Sequence, residues 1–190
     1  FLNGKLNAAA NCLDVHLNTQ RRTKPAIIWE GEDGSKQQFT YEELSKKVNQ
    51  LANTLTDQLH VKKGDRITLY LPLIPELIIS VLACARIGAI HSVVFAGFSA
   101  QSLADRIEDS QSKLLITADG GRRRGSIVPL HAIAKEATDQ AESTIETVLW
   151  VNHIQPDAQC PSDFKPKVVD YRALTQQAST ECAPTPMDSE

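Results

Sequence analysis

The sequence predicts an α/β fold in which a mostly parallel sheet is covered by helices on both faces. Short apolar runs typical of strands alternate with segments of helical period along the chain, and the links between them are only roughly two to six residues long. Glycines and prolines mark most of these links. In sheets of this kind, ligands bind at the carboxyl ends of the strands, so the loops that follow strands are the first places to look for function.

The first elements are a predicted hairpin and an amphipathic helix. Two extended runs within 26–41 flank Asp33-Gly34, a pair typical of tight turns. Thr40 and Glu43 then have the spacing of a capping box, which predicts the start of a helix. The apolar residues behind it recur every three or four positions and are Leu44, Val48, Leu51, Leu55 and Leu59.

The central part of the chain alternates strictly between the two kinds of element. We predict a strand at 66–71, a buried helix at 76–87, a buried strand at 89–95, a helix at 100–109 capped by Ser99, a strand at 113–117, a helix at 130–141 and a strand at 147–151. His91 lies among apolar neighbours in its strand, which favours a hydrogen-bonded core histidine over a catalytic base. Trp29 and Trp150 are expected to be packing residues.

Three segments of different composition predict the domain organisation. Residues 1–25 form a polar N-terminal segment, and residues 26–151 carry the alternating pattern of the α/β lobe. Residues 152–190 begin as a proline-rich loop and end in a tail with the composition of a linker. We therefore expect the polypeptide to continue into a further part of a larger protein.

Composition excludes several classes of function. The 190 residues carry a formal net charge of −3, whereas proteins that bind nucleic acid usually have a positive balance, so no nucleic-acid partner is expected. The apolar stretch 77–85 is far shorter than the ~20 residues of a membrane span, so no membrane association is expected either. The four cysteines are widely spaced and no Cys/His pattern suits a metal, which favours free thiols in a reducing cytoplasm and no metal site.

The first candidate binding loop follows the strand at 113–117. It contains Gly120-Gly121, the arginines Arg122, Arg123 and Arg124, then Gly125 and Ser126. Backbone N–H groups of a glycine-containing loop can hold an anion, and arginine side chains bind phosphate in a bidentate manner. From the spacing alone a solvated loop, a phosphate-binding loop and a nucleic-acid contact all remain open, and the letters match neither G-x-x-x-x-G-K-[ST] nor G-x-G-x-x-G.

The second candidate loop follows the strand at 89–95. Gly97 and the small Ala96 permit a close approach to the backbone, and Phe95 and Phe98 either flank an aromatic or apolar ligand group or pack in the core. Ser99 does not stand in a G-x-S-x-G motif and is interpreted as a helix cap. Because nothing pairs a nucleophile with a base, no catalytic residue is predicted in this chain.

Several longer stretches resemble the N-terminal region of the AMP-forming acetyl-coenzyme A (CoA) synthetase family, a branch of the adenylate-forming enzymes. They are "AIIWEGEDG", "TYEELSKKVNQLAN", "LPLIPELIISVLACARIGAIHSVVFAGFS" and "LADRIEDSQSKLLITADGG", with "MDSE" at the end. The resemblance is dense over 5–129 and thin afterwards. It implies that the chain is the N-terminal lobe of an enzyme that activates acetate with ATP and Mg²⁺ to acetyl-AMP and then transfers acetyl to CoA.

The resemblance also implies which residues bind CoA. The family's arginine-bearing loop, which meets the phosphorylated nucleotide end of CoA, matches Arg123, Arg124, Gly125 and Ser126. A second arginine of the family pattern is replaced by Ser126, so Arg122 or Arg124 would have to substitute for it. The family's F-G-G turn near the CoA adenine corresponds to Phe95, Ala96 and Gly97, with alanine in place of the first glycine.

Other parts of the family's machinery do not occur in this sequence. The Ser/Thr/Gly-rich nucleotide loop, the acetate pocket, the ATP and Mg²⁺ sites and the C-terminal domain with its lysine are absent. We therefore expect the 190 residues alone to be inactive and to depend on the rest of the same polypeptide. Alternatives are a fragment of a synthetase for propionate or another short-chain acid, and a non-catalytic module that binds CoA or a nucleotide.

Overall fold

The computed structural model describes residues 4–140 and 143–188 in two units. Unit 1 comprises residues up to Gly64, Ile78–Ile90 and the segment from Thr175 onward, and unit 2 comprises Asp65–Leu77 and His91–Leu174. The division at 25 and 151 that composition suggests stays a prediction. The helix predicted at 130–141 ends at Thr138, and residue 141 lies outside the described residues.

The strands and helices have the following bounds. The strands are β1 (Lys5–Leu6), β2 (Pro25–Glu30), β3 (Lys36–Thr40), β4 (Arg66–Tyr70), β5 (Ile90–Val93), β6 (Leu114–Ala118), β7 (Gly121–Arg123), β8 (Ser126–Val128), β9 (Thr147–Val151), β10 (Lys167–Asp170) and β11 (Met187–Asp188). The helices are α1 (Val15–Leu17), α2 (Tyr41–Asn53), α3 (Pro75–Ile87), α4 (Ala100–Ser110), α5 (Leu130–Thr138) and α6 (Tyr171–Gln177), with π-helical turns at Ala10–Asp14 and Thr54–Gln58. Within the described ranges, no helix combines the length and the apolar character needed to cross a bilayer.

Unit 2 is built around a five-stranded sheet in the order β10-β9-β6-β4-β5. The pairs β4–β6, β6–β9 and β9–β10 are parallel, and α4 packs against α5 and β4 while α5 packs on β6. This confirms the predicted α/β fold with a parallel sheet. If the five strands are renumbered in chain order and read from the β5 edge, the sheet has the order 2-1-3-4-5, which is typical of doubly wound sheets. The connections change direction between β4 and β6.

Strand β5 differs from its prediction as a buried strand over 89–95. It ends at Val93, and its Ile90 and Val93 side chains are 56% and 52% exposed. The reason is its place at the edge of the sheet, where it has a neighbouring strand on one side only. His91 is accordingly half-buried and makes no side-chain hydrogen bond to any described residue, so the prediction of a hydrogen-bonded core histidine is wrong; its partial burial lowers its pKa.

Unit 1 contains the hairpin and the capped helix that the sequence predicts. Strands β2 and β3 pair antiparallel around Gly34, whose φ of 81° is accessible mainly to glycine. The Glu43 N–H donates to the Thr40 hydroxyl and the Thr40 N–H donates to the Glu43 carboxylate, which completes the capping box. The apolar face of α2 is buried through Leu44, Val48 and Leu51.

Arg86 connects distant segments of unit 1. Its side chain is only 4% exposed, and it donates two hydrogen bonds to the Asp14 carboxylate at 3.0 and 3.1 Å. The same guanidinium donates to the Cys182 carbonyl oxygen, and Thr185 donates its N–H to the Arg86 carbonyl oxygen. The tail that composition predicts as a linker is therefore fixed over these residues. The tail takes part in these bonds through its backbone N–H and carbonyl groups, which composition does not reveal.

Candidate functional site

Both candidate binding segments lie at the carboxyl-end edge of the unit 2 sheet. The turn 95–99 follows β5, and the arginine segment follows β6 next to the point where the connections change direction. The backbone is tightly packed there, because a Cβ on Gly121 would approach Cβ of Pro72 to 2.9 Å. The topology thus brings the two segments to the edge where doubly wound sheets bind ligands.

The arginine segment forms a β-hairpin rather than a flexible loop. Strands β7 and β8 pair antiparallel, with Arg123 opposite Ser126. Arg124 and Gly125 form the turn with φ values of 53° and 75°, and two-residue turns with positive φ at both positions match the twist of the flanking strands. Sequence reasoning missed the hairpin because its strands have three residues each and carry charged side chains.

The hairpin separates the three arginines in space. Directly opposed residues of an antiparallel pair point to the same face, and successive residues point to opposite faces. Arg123 and Ser126 therefore share one face, whereas Arg122 shares the other face with Ile127. Arg124 lies at the tip of the hairpin.

Arg123 contacts the turn 95–99 through Phe95. Its guanidinium lies 5.2 Å from the Phe95 ring centroid, within the range of a cation–π interaction. The Phe95 and Phe98 rings pack edge to face with centroids 5.8 Å apart, and Arg106 lies over Phe98 at 4.7 Å. Phe95 is 51% and Phe98 37% exposed, so the alternative that both rings are core residues is wrong.

Gly97 leaves the space that this stack occupies. A Cβ at Gly97 would lie 2.5 Å from the Arg123 Nη1 atom and 2.5 Å from Phe95 Cε1. The absence of a side chain at position 97 is thus a condition for Arg123 to lie on Phe95. The turn 95–99 is also held by the sheet, since the hydroxyl of the buried Tyr70 in β4 donates to the Phe98 carbonyl oxygen at 3.0 Å.

Tyr70 is a positioning residue that sequence reasoning missed. Burial raises its pKa to about 12, so the hydroxyl stays protonated and remains a donor throughout the physiological range. The available signal was a tyrosine at the carboxyl end of a strand in which the apolar residues Ile67 and Leu69 alternate with polar ones. Ser99, in contrast, has its predicted role, because its hydroxyl accepts from the Ser102 N–H at the start of α4.

Replacing Gly97 by alanine tests the packing of the stack. We expect Gly97→Ala to displace the Arg123 guanidinium from Phe95, while the unfolding free energy changes by less than about 1 kcal/mol because the contacted atoms belong to movable side chains. The displacement can be measured as a change in the solution NMR shifts of the Phe95 ring. Ala96→Gly is the control, and unchanged ring shifts in Gly97→Ala would contradict the geometry.

The titratable side chains of the described residues do not gather into a metal-binding group. Within residues 4–140 and 143–188, no three His, Cys, Asp or Glu side chains are placed to hold a metal ion. All four cysteines lie in this part of the chain, and their thiols are free of disulfides as predicted. The site therefore offers cationic and aromatic binding groups.

Comparison with known proteins shows the family of the chain. The sequence matches the AMP-binding enzyme family over residues 14–188. Acetyl-coenzyme A synthetase of Gemmatimonas aurantiaca is 48% identical over the whole chain, and that of Wolinella succinogenes is 47% identical. A 3-hydroxypropionyl-coenzyme A synthetase of Sulfurisphaera tokodaii is 56% identical over 72% of the chain.

A solved structure agrees with the fold. The crystal structure of Brucella canis acyl-CoA synthetase superimposes with a TM-score of 0.78 at 25% identity, covering 97% of this chain and 30% of that one. The chain spans 29% of the length of the two acetyl-coenzyme A synthetases and 21% of the third relative. With a family match over nearly its whole length, the chain belongs to the AMP-binding enzyme family.

Proposed function

We propose that the protein containing this chain is an acetate–CoA ligase. It activates acetate with ATP to acetyl-AMP, releases pyrophosphate and transfers the acetyl group to the thiol of CoA. The proposal is supported by acetyl-coenzyme A synthetases that are 46–48% identical over the entire chain. The present residues supply part of the CoA site, and the ATP and Mg²⁺ sites belong to the rest of the same polypeptide.

The placement of Arg123 carries the assignment of the CoA site. Its guanidinium forms no hydrogen bond or ion pair with any described residue and is instead held against the exposed Phe95 ring. An arginine with all its N–H donors available, yet with its position fixed by stacking, fits the phosphorylated nucleotide end of CoA. The exposed Phe95 ring, together with the backbone at Ala96 and Gly97, offers a surface for the adenine.

The hairpin suggests how the replaced arginine is compensated. Ser126 lies on the same face as Arg123 and keeps a hydroxyl there as a hydrogen-bond donor. Arg122 points to the opposite face, so Arg124 at the tip is the better substitute. The turn glycine Gly125 permits this tip with its φ of 75°.

The relatives also support one alternative substrate class. The higher identity to a 3-hydroxypropionyl-coenzyme A synthetase, although over only 137 residues, favours another short-chain acid as the second candidate. Both candidates use the same CoA site. The substrates are small molecules in either case, and we propose that the enzyme acts in the cytoplasm, where free thiols such as those of this chain persist.

The two half-reactions of the enzyme that contains this chain test the proposal. We expect acetate-dependent exchange of pyrophosphate into ATP without CoA, and acetyl-CoA formation when CoA is added. Propionate and 3-hydroxypropionate are the matched substrates. Exchange that is faster with 3-hydroxypropionate than with acetate would favour the alternative, and no exchange with any short-chain acid would overturn the proposed ligase. The isolated 190-residue chain is the control and is expected to show neither activity.

A further inference from the structure

Asp119 lies at the root of the arginine hairpin and makes an unusually complete set of hydrogen bonds. It follows β6 directly and precedes Gly120 and the hairpin strand β7. Its Oδ1 accepts from the N–H groups of Gly120 at 2.8 Å and of His153 and Ile154 at 2.9 Å. Its Oδ2 accepts from the N–H groups of Ile154 at 3.1 Å and Gln155 at 2.8 Å.

These bonds join the hairpin to the loop that follows β9. Three consecutive backbone donors at 153–155 converge on one carboxylate, and each is a charge-assisted bond of the stronger class. Only a short side chain with two acceptor oxygens can receive donors from both directions at once. The loop after β9 is thereby fixed directly beside the start of β7.

The backbone of Asp119 closes the hairpin at its other end. Its carbonyl oxygen accepts from the His131 N–H at 3.2 Å, just after the hairpin returns into α5, and its N–H donates to the Val151 carbonyl oxygen at 3.1 Å. Gly120 is buried beside it, where a Cβ would lie 3.1 Å from Ile154 Cγ1 and from the Val128 carbonyl oxygen. Asp119 thus contacts the segments before and after the hairpin and the loop next to it.

The position of Arg123 depends on this closure. Arg123 lies at the end of β7, four residues beyond Asp119, and it reaches Phe95 only if the hairpin leaves the sheet in its present direction. A hairpin of three-residue strands has too few bonds of its own to fix that direction. The hydrogen bonds of Asp119 supply the additional contacts that fix the direction of the hairpin.

We propose that Asp119 is a positioning residue for CoA binding, which sets the direction of the arginine hairpin and so places Arg123 on Phe95. This inference rests on the proposed function of the site. It assigns to Asp119 no contact with substrate. Its effect is exerted through Arg123 and is therefore separable from a general role in folding.

A double-mutant cycle in the whole enzyme tests the inference. Asp119→Asn keeps the size of the side chain but turns an NH₂ group toward N–H donors, so we expect about a tenfold higher KM for CoA. Pyrophosphate exchange with acetate is expected to stay within about twofold. Because Asp119 acts through Arg123, the double variant Asp119→Asn/Arg123→Ala should have the KM of Arg123→Ala alone.

Amide hydrogen exchange gives a second readout. A general role in folding would raise exchange rates throughout unit 2, whereas a positioning role raises them only near the hairpin. We expect faster exchange in Asp119→Asn at 120–128 and 153–155, with unchanged exchange in β4 and β9. Asp105→Asn, an exposed aspartate on α4, is the matched control and should change neither readout. Asp119→Ser, which keeps one acceptor without the charge, replaces Asp119→Asn if that variant does not fold.

The outcomes separate the inference from the proposed function. If Arg123→Ala raises the KM for CoA and Asp119→Asn does not, the inference is wrong and the CoA site stands. Additive effects in the double variant, or an equal loss of pyrophosphate exchange, likewise overturn it in favour of a folding role. If Arg123→Ala itself leaves the KM unchanged, the proposed CoA site is wrong, and the inference falls with it.

Discussion

Arg86→Ala is expected to lower the free energy of unfolding by about 3 kcal/mol. Removing the guanidinium leaves the Asp14 carboxylate, which is only 31% exposed, without its cation and leaves the Cys182 carbonyl oxygen without its donor. Breaking a largely buried ion pair from one side is costly because the remaining charge has lost its partner and is only partly hydrated. Urea denaturation measures the loss of stability as a lower midpoint concentration at an unchanged m-value.

An exposed ion pair of the same unit provides the control for Arg86. Lys36 and Glu30 are 3.2 Å apart, but their side chains are 67% and 61% exposed. Lys36→Ala should therefore cost at most about 0.5 kcal/mol. Arg86→Lys keeps the charge without the bidentate geometry and should fall between the two variants. Equal midpoints for Arg86→Ala and Lys36→Ala would show that the buried pair does not stabilise unit 1.

Arg123→Ala is expected to raise the KM for CoA of the whole enzyme by roughly 10- to 100-fold. The estimate follows from hydrogen bonds to charged groups, which contribute about 1.5–3 kcal/mol, with about 1.4 kcal/mol for each factor of ten. Adenylation does not involve the CoA phosphate, so pyrophosphate exchange with acetate should stay within about twofold. Initial rates at varied CoA concentration provide the measurement.

The neighbouring arginine is a matched control for Arg123. Arg122 has the same chemistry one residue earlier, but the strand alternation turns it to the opposite face of the hairpin. Arg122→Ala should change the KM for CoA less than twofold. Equal effects of the two alanine variants would mean that the hairpin acts by its charge alone, and the proposed contact of Arg123 would then be wrong.

Local patterns in the sequence were sufficient to predict most elements of the fold. The Thr40–Glu43 capping box, the Asp33-Gly34 turn and the Ser99 cap each depend on residues no more than a few positions apart. The alternation of strands and helices likewise predicts the parallel sheet, because short links restrict the topology. The strand Thr147–Val151 was predicted with its observed bounds.

Features that depend on strand order or on distant backbone atoms could not be predicted in this way. The exposure of β5 follows from its place at the sheet edge, which periodicity does not reveal. The ion pair of Arg86 joins positions 72 residues apart, and Asp119 accepts from backbone donors 34 to 36 residues away. No local sequence pattern shows which backbone groups lie near a distant side chain, so these contacts are known only from the structure.

The candidate site was predictable in part. The resemblance implies separate roles for Arg123 and Phe95, one next to a phosphate and one next to an adenine. Only the structure shows that they touch and that Gly97 leaves room for the contact. It also shows that Tyr70 donates to the turn 95–99 and that Asp119 accepts from Gly120 at the start of the hairpin. The strands of the hairpin are too short and too charged to show the alternation of apolar and polar residues that predicts a strand.

The most direct test of the central claim compares CoA with its analogue lacking the 3′-phosphate. Binding of both to the whole enzyme and to its Arg123→Ala variant can be measured by calorimetry at fixed salt. We expect the enzyme to bind CoA roughly tenfold more tightly than the analogue, and the variant to bind the two with nearly equal affinity. A variant that still prefers CoA by the same factor would show that the phosphate is bound elsewhere and would contradict the assignment of Arg123.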